Sequence, residues 1–408
     1  ANTTGTQNTA VGAYALDAAS TANNNTAIGY NSLGANTTGT ENVAVGSLCL
    51  DANETSSFNT AVGSQALTAN TTGESNTAVG RFALPNNTTA NFNTAVGRNC
   101  MAANTTGTQN TALGALALAT SQTANNNTAI GYNSLNDNTS GALCTAVGSE
   151  TLASNTTGAN NTAVGQNSLN ANTTGASNTA IGQNTLITNT GGGANTAIGI
   201  NALQYNTTNN ITAVGRDALQ NNTTGAENVA GGAFCLTTNT TGAANTAFGF
   251  GALNANSTAN HNTAMGRSAL LDNQTGSSNT AIGRNALQNN TTADANTAIG
   301  YDALGSCTSG GENIAIGYRS GDNCTTGNKN VYVGDNAGNT HATGAGSIYI
   351  GRACNCSSTS VDKEIVLGQD GVGKGTRTFF VNSDNGVYHA GNTTTWSTVS
   401  DERIKKNI

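Results

Sequence analysis

One pentad recurs at a nearly constant interval along almost the whole chain of 408 residues. Its first copy is Asn8-Thr9-Ala10-Val11-Gly12, and 22 copies align, with degenerate ones starting at Ser347 and Glu364. The first residues of successive copies are 17 positions apart, as Asn8 and Asn25 are, with one exception: Asn195 and Ile211 are 16 positions apart. A register this strict requires each copy to stack on the one before it. The sequence therefore predicts an all-β fold, a parallel β-solenoid with 17-residue coils.

The composition excludes several other classes of protein. With 51 Gly, a single Pro and no three-residue Gly period, the chain is not collagen. No apolar run reaches about 18 residues, so we expect no membrane insertion. A net charge of -7 argues against nucleic acid as a partner, because nucleic-acid binding usually needs a basic face. The chain begins inside a repeat, without Met or a signal peptide, and we expect it to be part of a longer gene product.

The columns of the repeat predict which side chains face inward. The second position is always Thr, Val or Ile, and the fourth is a large apolar residue in every copy but one, Gly231. Side chains two apart in a strand share a face, so we expect Thr9 and Val11 to point into the coil. The fifth position is always Gly, which suggests positive φ or a close backbone approach. Four residues later, Leu or Met fills the first 18 copies, as at Leu16, and predicts a second inward anchor.

The remaining pentad positions are expected to face away from the coil. Asn8 and Ala10 alternate with the inward positions, and the third position is Ala in each of the first 19 copies. A solvent-facing column has no reason to stay so small, so we expect an identical chain to pack against it. Tyr332 and Tyr349 replace this Ala near the C-terminus, where the packing should open, and the Leu column ends after Leu304. The wealth of Asn predicts ladders of side-chain amides that bond coil to coil.

The pentad followed by a small residue and Leu resembles the head repeats of trimeric autotransporter adhesins. The resemblance covers about residues 1–370 and implies a left-handed parallel β-roll, with three chains side by side in a homotrimeric fibre. The usual coil of those heads is shorter than the coil of this repeat. Similar repeats occur in tail fibres of phages and other viruses.

The C-terminal segment Ser400-Asp401-Glu402-Arg403-Ile404-Lys405-Lys406-Asn407-Ile408 departs from the repeat. It closely resembles the opening of the C-terminal intramolecular chaperone domain of phage endosialidases and related tail fibres. In that family the chaperone trimerises the fibre and then cuts itself off near the motif's Ser. The resemblance implies that Ser400 is the essential Ser, that Ser400-Asp401 is the scissile bond, and that Lys405 is the partner base. A Ser hydroxyl needs such a base, because it is a weak nucleophile at neutral pH.

These observations divide the chain into four segments. They are a regular solenoid shaft at 1–316, variant terminal coils at 317–370, a transition segment at 371–399 and the start of the chaperone at 400–408. We expect the structural shaft of a homotrimeric tail fibre on a virion, which contributes to host attachment. Its expected partners are other fibre or virion proteins and a host surface receptor, for which a glycan is one option. We expect no cofactor, and no enzymatic activity beyond one self-cleavage.

Other candidate sites have simpler explanations. Four of the eight Cys lie three residues after the repeat Gly, where small residues are buried: Cys49, Cys100, Cys235 and Cys354. Cys307 and Cys324 stack on neighbouring coils within disulfide reach, and Cys354 and Cys356 lack zinc spacing. The Gly-rich segment 368–376 imitates a phosphate-binding loop, but Gly375 stands where Ser or Thr is needed, and a flexible exit from the last coil explains it better. The three His, His261, His341 and His389, share no column with carboxylates, so we predict no metal site or glycosidase.

Two other classes of function stay open. A bacterial cell-surface trimeric adhesin would use the same shaft, but would continue into a coiled-coil stalk and a membrane anchor. An ice-binding solenoid would place Thr ladders on a flat exposed face. We expect the Thr column here to lie inside the coil, which argues against ice binding, and a thermal hysteresis assay distinguishes the two.

Overall fold

The computed structural model describes residues 3–382 together with the backbone of the strands Val387–Ala390 and Ser397–Thr398. The chain divides into two compact units, Ala1–Asn210 and Ile211–Ile408. Within the described residues, every regular element is a β-strand, most of them three residues long. The predicted all-β class is therefore confirmed.

The first unit holds twelve strands, one in each coil. They are β1 (Thr9–Val11), β2 (Thr26–Ile28), β3 (Val43–Val45), β4 (Thr60–Val62), β5 (Thr77–Val79), β6 (Thr94–Val96), β7 (Thr111–Leu113), β8 (Thr128–Ile130), β9 (Thr145–Val147), β10 (Thr162–Val164), β11 (Thr179–Ile181) and β12 (Thr196–Ile198). Each strand pairs in parallel with the next at the spacing of the repeat, as Thr162 does with Thr179. The unit is a parallel β-solenoid, as the repeat predicts.

The second unit continues the same repeat. Its strands are β13 (Thr212–Val214), β14 (Val229–Gly231), β15 (Thr246–Phe248), β16 (Thr263–Met265), β17 (Thr280–Ile282), β18 (Thr297–Ile299), β19 (Ile314–Ile316), β20 (Val331–Val333), β21 (Ile348–Ile350), β22 (Ile365–Gly368), β23 (Thr378–Asn382), β24 (Val387–Ala390) and β25 (Ser397–Thr398). Strands β13 to β23 pair in parallel, each with the next. The last two pairings, β23 with β24 and β24 with β25, are antiparallel.

The predicted orientation of the pentad is wrong. The third-position Ala points into the coil and is fully buried, as at Ala27 and Ala163, whereas the flanking second and fourth positions face outward. The first-position Asn is buried as well, as at Asn25. Alternation along a strand groups side chains into two sets, but it does not say which set faces in. A coil this short is narrow, and its interior leaves room only for a methyl group on the strand side.

The repeat Gly meets both conditions expected of it. From Gly12 to Gly368 its φ lies between 115° and 144°, a region that other residues rarely adopt. A Cβ at Gly165 would lie 2.6 Å from the carbonyl oxygen of Gly182, the next Gly in the column. Since that obstacle is backbone, it cannot rotate away. The Gly column therefore marks both a special backbone conformation and a close approach between coils.

The second inward anchor is confirmed, in an unexpected backbone conformation. The column from Leu16 to Leu304 is buried, and all 18 of its residues have φ between 49° and 52°. A left-handed conformation costs roughly 1–2 kcal/mol for a residue with a Cβ. Complete burial of a Leu side chain contributes about 1.5–3 kcal/mol, which offsets that cost. The Leu side chains then fill the interior space opposite the small Ala column.

The predicted Asn ladders exist, and they lie inside the coil. In the pentad column, the backbone N–H of Asn42 donates to Oδ1 of Asn25 at 2.9 Å, and Nδ2 of Asn42 donates to the carbonyl of Ser56 at 2.9 Å. In a second Asn column the bond between coils joins two side chains, with Nδ2 of Asn70 donating to Oδ1 of Asn53 at 3.1 Å. These amides satisfy buried backbone groups that the three-residue strands leave unpaired. The ladders thus allow a polar interior between successive coils.

Near the C-terminus the core side chains are exchanged, and the two Tyr residues that we expected to face a neighbouring chain lie inside the coil instead. Tyr332 and Tyr349 take the inward Ala position, are fully buried, and stack with ring centroids 5.8 Å apart. Gly321 and Gly338 replace Leu because Tyr332 occupies the space: a Cβ at Gly321 would lie 2.7 Å from its ring. The regular coils pair a small Ala with a large Leu across the core, whereas these terminal coils pair a large Tyr with a Gly, so the core stays filled.

Candidate functional site

The outward side of each sheet carries two parallel columns of side chains, which we call the outward columns. One consists mainly of Thr from the second pentad position, and the other of Val, Ile, Leu, Met or Phe from the fourth. The apolar column is substantially exposed in both units, with 39% exposure at Ile181 and 44% at Phe248. Successive members are about 4.8 Å apart, the spacing of paired strands.

The Thr column presents hydroxyl groups without protein partners. Among the described residues, no hydrogen bond is formed by the side chain of a second-position strand Thr, from Thr9 in β1 to Thr297 in β18. The column is interrupted by Val43 and Val229, and from Ile314 onward it is wholly apolar. Both outward columns are therefore available for contact with something outside the chain.

Such a surface is unusual for a chain that acts alone. Exposed apolar patches above a few hundred Å² mark interaction sites in soluble proteins. Here the apolar column is repeated in coil after coil, so its exposed area grows with every repeat. A globular partner would cover a few coils, whereas a second copy of the same solenoid has the same period and can match every position. The geometry therefore fits contact between copies of this chain.

The terminal coils hold a buried polar cluster that the columns alone did not predict. Tyr332 Oη and His341 Nδ1 are 2.8 Å apart, and His341 Nε2 lies 2.8 Å from the Val361 carbonyl oxygen. Because Nε2 must donate to that carbonyl, the neutral ring accepts the Tyr332 proton at Nδ1. Burial lowers the pKa of His341, which favours this neutral form. His341 occupies a position of the second Asn column, so the register of the repeat could have predicted that its side chain is buried and hydrogen-bonded.

The loop that imitates a phosphate-binding loop closes over a carboxylate of its own chain. The fully buried Glu364 accepts hydrogen bonds from Tyr349 Oη at 3.1 Å, from Ser357 N at 3.2 Å and from Gly375 N at 2.7 Å. A Cβ at Gly373 would collide with the same carboxylate. Gly373 therefore lets the backbone approach Glu364, and the segment serves the core of the last coil.

The Cys residues are free and buried, all eight of them. Burial raises the pKa of the Cys100 thiol to about 12 and that of the Cys235 thiol to about 11, so these thiols stay protonated. Cys307 and Cys324 follow one another in the second Asn column and are in hydrogen-bond contact as two thiols. The predicted packing role of Cys49, Cys100, Cys235 and Cys354 is confirmed by their complete burial.

The predicted self-cleavage residues, Ser400 and Lys405, lie outside the described residues, as does His389. Within the part of the chain that the structure describes, no group of three or more His, Cys, Asp or Glu could hold a metal ion. Over the same part, no helix is long and apolar enough to cross a membrane. Comparison with models of protein families, with curated proteins and with solved structures gave no match to this chain.

Proposed function

We propose that this chain is the structural shaft of a homotrimeric tail fibre of a phage or other virus and contributes to host attachment. In this proposal the solenoid holds a receptor-binding region away from the particle. Its partners are two further copies of itself, other fibre or virion proteins and a receptor on the host surface. Its location is the virion and the extracellular space.

The outward columns are the observation that carries the proposal. Joining copies along them would bury Val and Ile side chains that are otherwise substantially exposed, such as Ile28 and Ile181 at 39% each. Burial of apolar surface stabilises association by roughly 25 cal/mol per Å² before the cost of association is subtracted. Because the columns are periodic, the gain accumulates with every coil. A long solenoid with this surface is therefore suited to side-by-side assembly, and the adhesin-head resemblance implies that three chains take part.

The C-terminal resemblance supports the choice of a fibre. The segment from Ser400 to Ile408 resembles the start of a chaperone that trimerises fibres and then leaves. In our proposal Ser400 and Lys405 promote hydrolysis of the Ser400-Asp401 peptide bond, with Lys405 as the base for the Ser400 hydroxyl. The C–N bond breaks, the amino group of Asp401 leaves with a proton, and a water molecule supplies the oxygen of the new Ser400 carboxylate. The mature chain would then end at Ser400, and chemistry would be limited to this single event.

Native mass spectrometry of the chain expressed with its natural C-terminal continuation tests the proposal. We expect a trimer whose subunits end at Ser400, together with a released fragment that begins at Asp401. Ser400→Ala is the matched variant and should give an uncut trimer. An uncut monomer from the parent chain would contradict both trimerisation and cleavage, whereas an uncut parent trimer would contradict only the Ser400 chemistry.

A bacterial trimeric adhesin is the alternative within the same architecture. It would share the shaft and the trimer, but a coiled-coil stalk and a membrane anchor would follow the solenoid in place of a chaperone. The sequence that follows Ile408 in the full gene distinguishes the two directly. A chaperone-like continuation supports the fibre, and a heptad repeat supports the adhesin.

Ice binding is a second candidate that one observation favours. We expected the Thr column to lie inside the coil, and the structure instead places it outside, in register from strand to strand. The interruptions at Val43 and Val229 and the apolar column beside it weigh against a pure Thr array. A thermal hysteresis assay tests this candidate. Thermal hysteresis in the parent chain that is lost in Thr162→Leu/Thr179→Leu would support ice binding, and absence of thermal hysteresis in the parent chain would reject it.

A further inference from the structure

A further exposed column consists of the residues that come directly after the repeat Gly. In five consecutive coils of the second unit, the residue directly after that Gly is aromatic or Arg. These residues, which we call the Arg–aromatic ridge, are Phe250, Arg267, Arg284, Tyr301 and Tyr318, and all five are exposed. Neighbouring coils are about 4.8 Å apart, so the ridge is about 19 Å long. Elsewhere in the chain the same position is Ser, Gln or Ala in nine copies and Arg or Tyr in six, among them the consecutive pair Arg81 and Arg98, but nowhere else do five such residues follow one another.

The two Arg residues of the ridge have no acidic partner. Among the described residues, no carboxylate lies within ion-pair distance of Arg267 or Arg284. Arg319 and Arg352, by contrast, pair with Asp322 at 2.8 Å and with Asp370 at 3.0 Å. Two neighbouring positive charges repel each other, and the chain, with a net charge of -7, has acidic residues to spare. Their placement side by side without a counter-charge points to an anion from outside the chain.

Each of the two guanidinium groups lies near an aromatic ring of the ridge. Arg267 lies 6.0 Å from the ring centroid of Phe250, in the preceding coil, and Arg284 lies 5.5 Å from that of Tyr301, in the following coil. Each guanidinium therefore takes the aromatic ring on its far side, as cation–π attraction favours. Tyr318 stacks on Tyr301 with centroids 5.3 Å apart and fixes that end of the ridge. Arg267 and Arg284 are both exposed, so the N–H donors at the centre of the ridge can be reached from solvent.

We propose that the Arg–aromatic ridge binds a linear polysaccharide that carries carboxylate groups. The planar guanidinium groups of Arg267 and Arg284 bind carboxylates through paired N–H donors. The Tyr301 and Tyr318 hydroxyls and the exposed ring edges suit sugar hydroxyls and C–H groups. The ridge is open along its whole length, so it fits a polymer that continues past both ends. This inference rests on the proposed role in host attachment for its biological meaning, and it names the ligand class.

Charge density favours a polysaccharide over nucleic acid. A nucleic-acid strand carries one charge per about 3.4 Å and would place about five phosphates along the ridge. Only two cations without acidic partners, Arg267 and Arg284, face them, in a chain that is acidic as a whole. A polysaccharide with one carboxylate per sugar or fewer is better matched to two cations. Its weaker repulsion from the rest of the surface points the same way.

Biolayer interferometry on the full chain tests the ridge with three immobilised probes: polygalacturonate, neutral dextran and oligothymidylate. The test variant is Arg267→Gln/Arg284→Gln, which introduces the residue that the chain itself has in this column at Gln166 and Gln183. The matched control is Arg319→Gln/Arg352→Gln, which removes the same charge from ion-paired positions. Far-UV circular dichroism checks that both variants keep the parent fold.

We expect the parent chain to bind polygalacturonate and not dextran, the ridge variant to lose at least about tenfold in affinity, and the control to stay within about twofold. Absence of binding to polygalacturonate would overturn the inference, and so would equal losses in both variants. Equal binding to oligothymidylate with the same dependence on Arg267 and Arg284 would overturn the ligand class. These readings do not depend on trimerisation or cleavage, so a monomeric chain that binds through the ridge would refute the fibre and keep the ridge.

Discussion

Tyr332 offers the sharpest test of how the terminal coils are packed. Its ring fills the space of two missing Leu side chains, at Gly321 and Gly338, and its hydroxyl is hydrogen-bonded to His341 Nδ1. Tyr332→Ala should therefore remove a fully buried ring, at a cost of about 3–5 kcal/mol. It also leaves the His341 nitrogen without a partner, which adds about 1–3 kcal/mol. Tyr332→Phe keeps the ring and should show only the second cost.

Hydrogen exchange read by mass spectrometry is the suitable assay, because stability in a solenoid is local and depends on neighbouring repeats. In Tyr332→Ala, amide exchange over residues 314–368 should accelerate by at least about a hundredfold, since every 1.4 kcal/mol is about a factor of ten. Residues 162–198 serve as the internal reference and should not change. Tyr332→Ala/Gly321→Leu returns a Leu side chain to the space that the Tyr332 ring vacates and should recover part of the lost protection.

Three results would refute this reasoning. The first is unchanged exchange over 314–368 in Tyr332→Ala, which would mean that the ring does not support those coils. The second is an equal effect of Tyr332→Phe and Tyr332→Ala, which would assign the whole cost to the hydroxyl. The third is a further loss of protection when Gly321→Leu is added, which would mean that the Gly column serves something other than space for the Tyr ring.

Three further predictions concern stability and reactivity. The pKa of His341 is lowered in the folded chain, so the unfolded chain takes up the proton first as the pH falls. Stability of the terminal coils is therefore full above pH 6.5 and is lost below it, so exchange over 331–368, corrected for the intrinsic rate, should accelerate as the pH falls from 6.5, and His341→Asn should abolish this dependence. In a urea titration, Gly165→Ala should lower the free energy of unfolding by more than the roughly 1–3 kcal/mol that positive φ alone costs, because the added Cβ also meets the Gly182 carbonyl oxygen. Gly191→Ala is the control and should be tolerated, because the nearest contact of its Cβ is at 3.4 Å. The buried thiols, with the pKa of Cys100 raised to about 12, should resist iodoacetamide in the native chain and all eight should react after denaturation; labelling of the native chain would show that the coils open.

Much of the architecture follows from the repeat alone. A constant period fixes the parallel register, because any other pairing would misalign every column at once. The invariant Gly, the buried Leu and Cys columns and the Asn ladders also follow, since each of these residue types has a distinctive requirement for backbone, burial or hydrogen bonding. The one shortened interval, which ends at Ile211, coincides with the boundary between the two compact units.

The facing of the pentad did not follow, and the reason is physical. Large β-branched side chains usually mark the buried side of a strand, so the sequence predicts Thr9 and Val11 in the interior and Ala10 on the surface. In a narrow coil the interior is already filled by Leu and by paired Asn columns, and only Ala fits between them. This reversal moves the expected contact between chains from the Ala column to the outward columns. The left-handed φ of the Leu column was equally hidden, because nothing in the identity of a Leu indicates positive φ.

The oligomeric state of the chain, and its dependence on the outward columns, tests our central claim most directly. Light scattering coupled to size-exclusion chromatography, on the chain and its variants expressed with the natural C-terminal continuation, should give for the parent three times the mass of a chain that ends at Ser400, slightly below three times 40.6 kDa. Val147→Lys/Ile181→Lys places charges on the outward columns in alternate coils and should yield monomers. Ser149→Lys/Gln183→Lys adds the same charge after the repeat Gly of the same coils and should stay trimeric. A monomeric parent, or a trimer that survives Val147→Lys/Ile181→Lys, would contradict the claim.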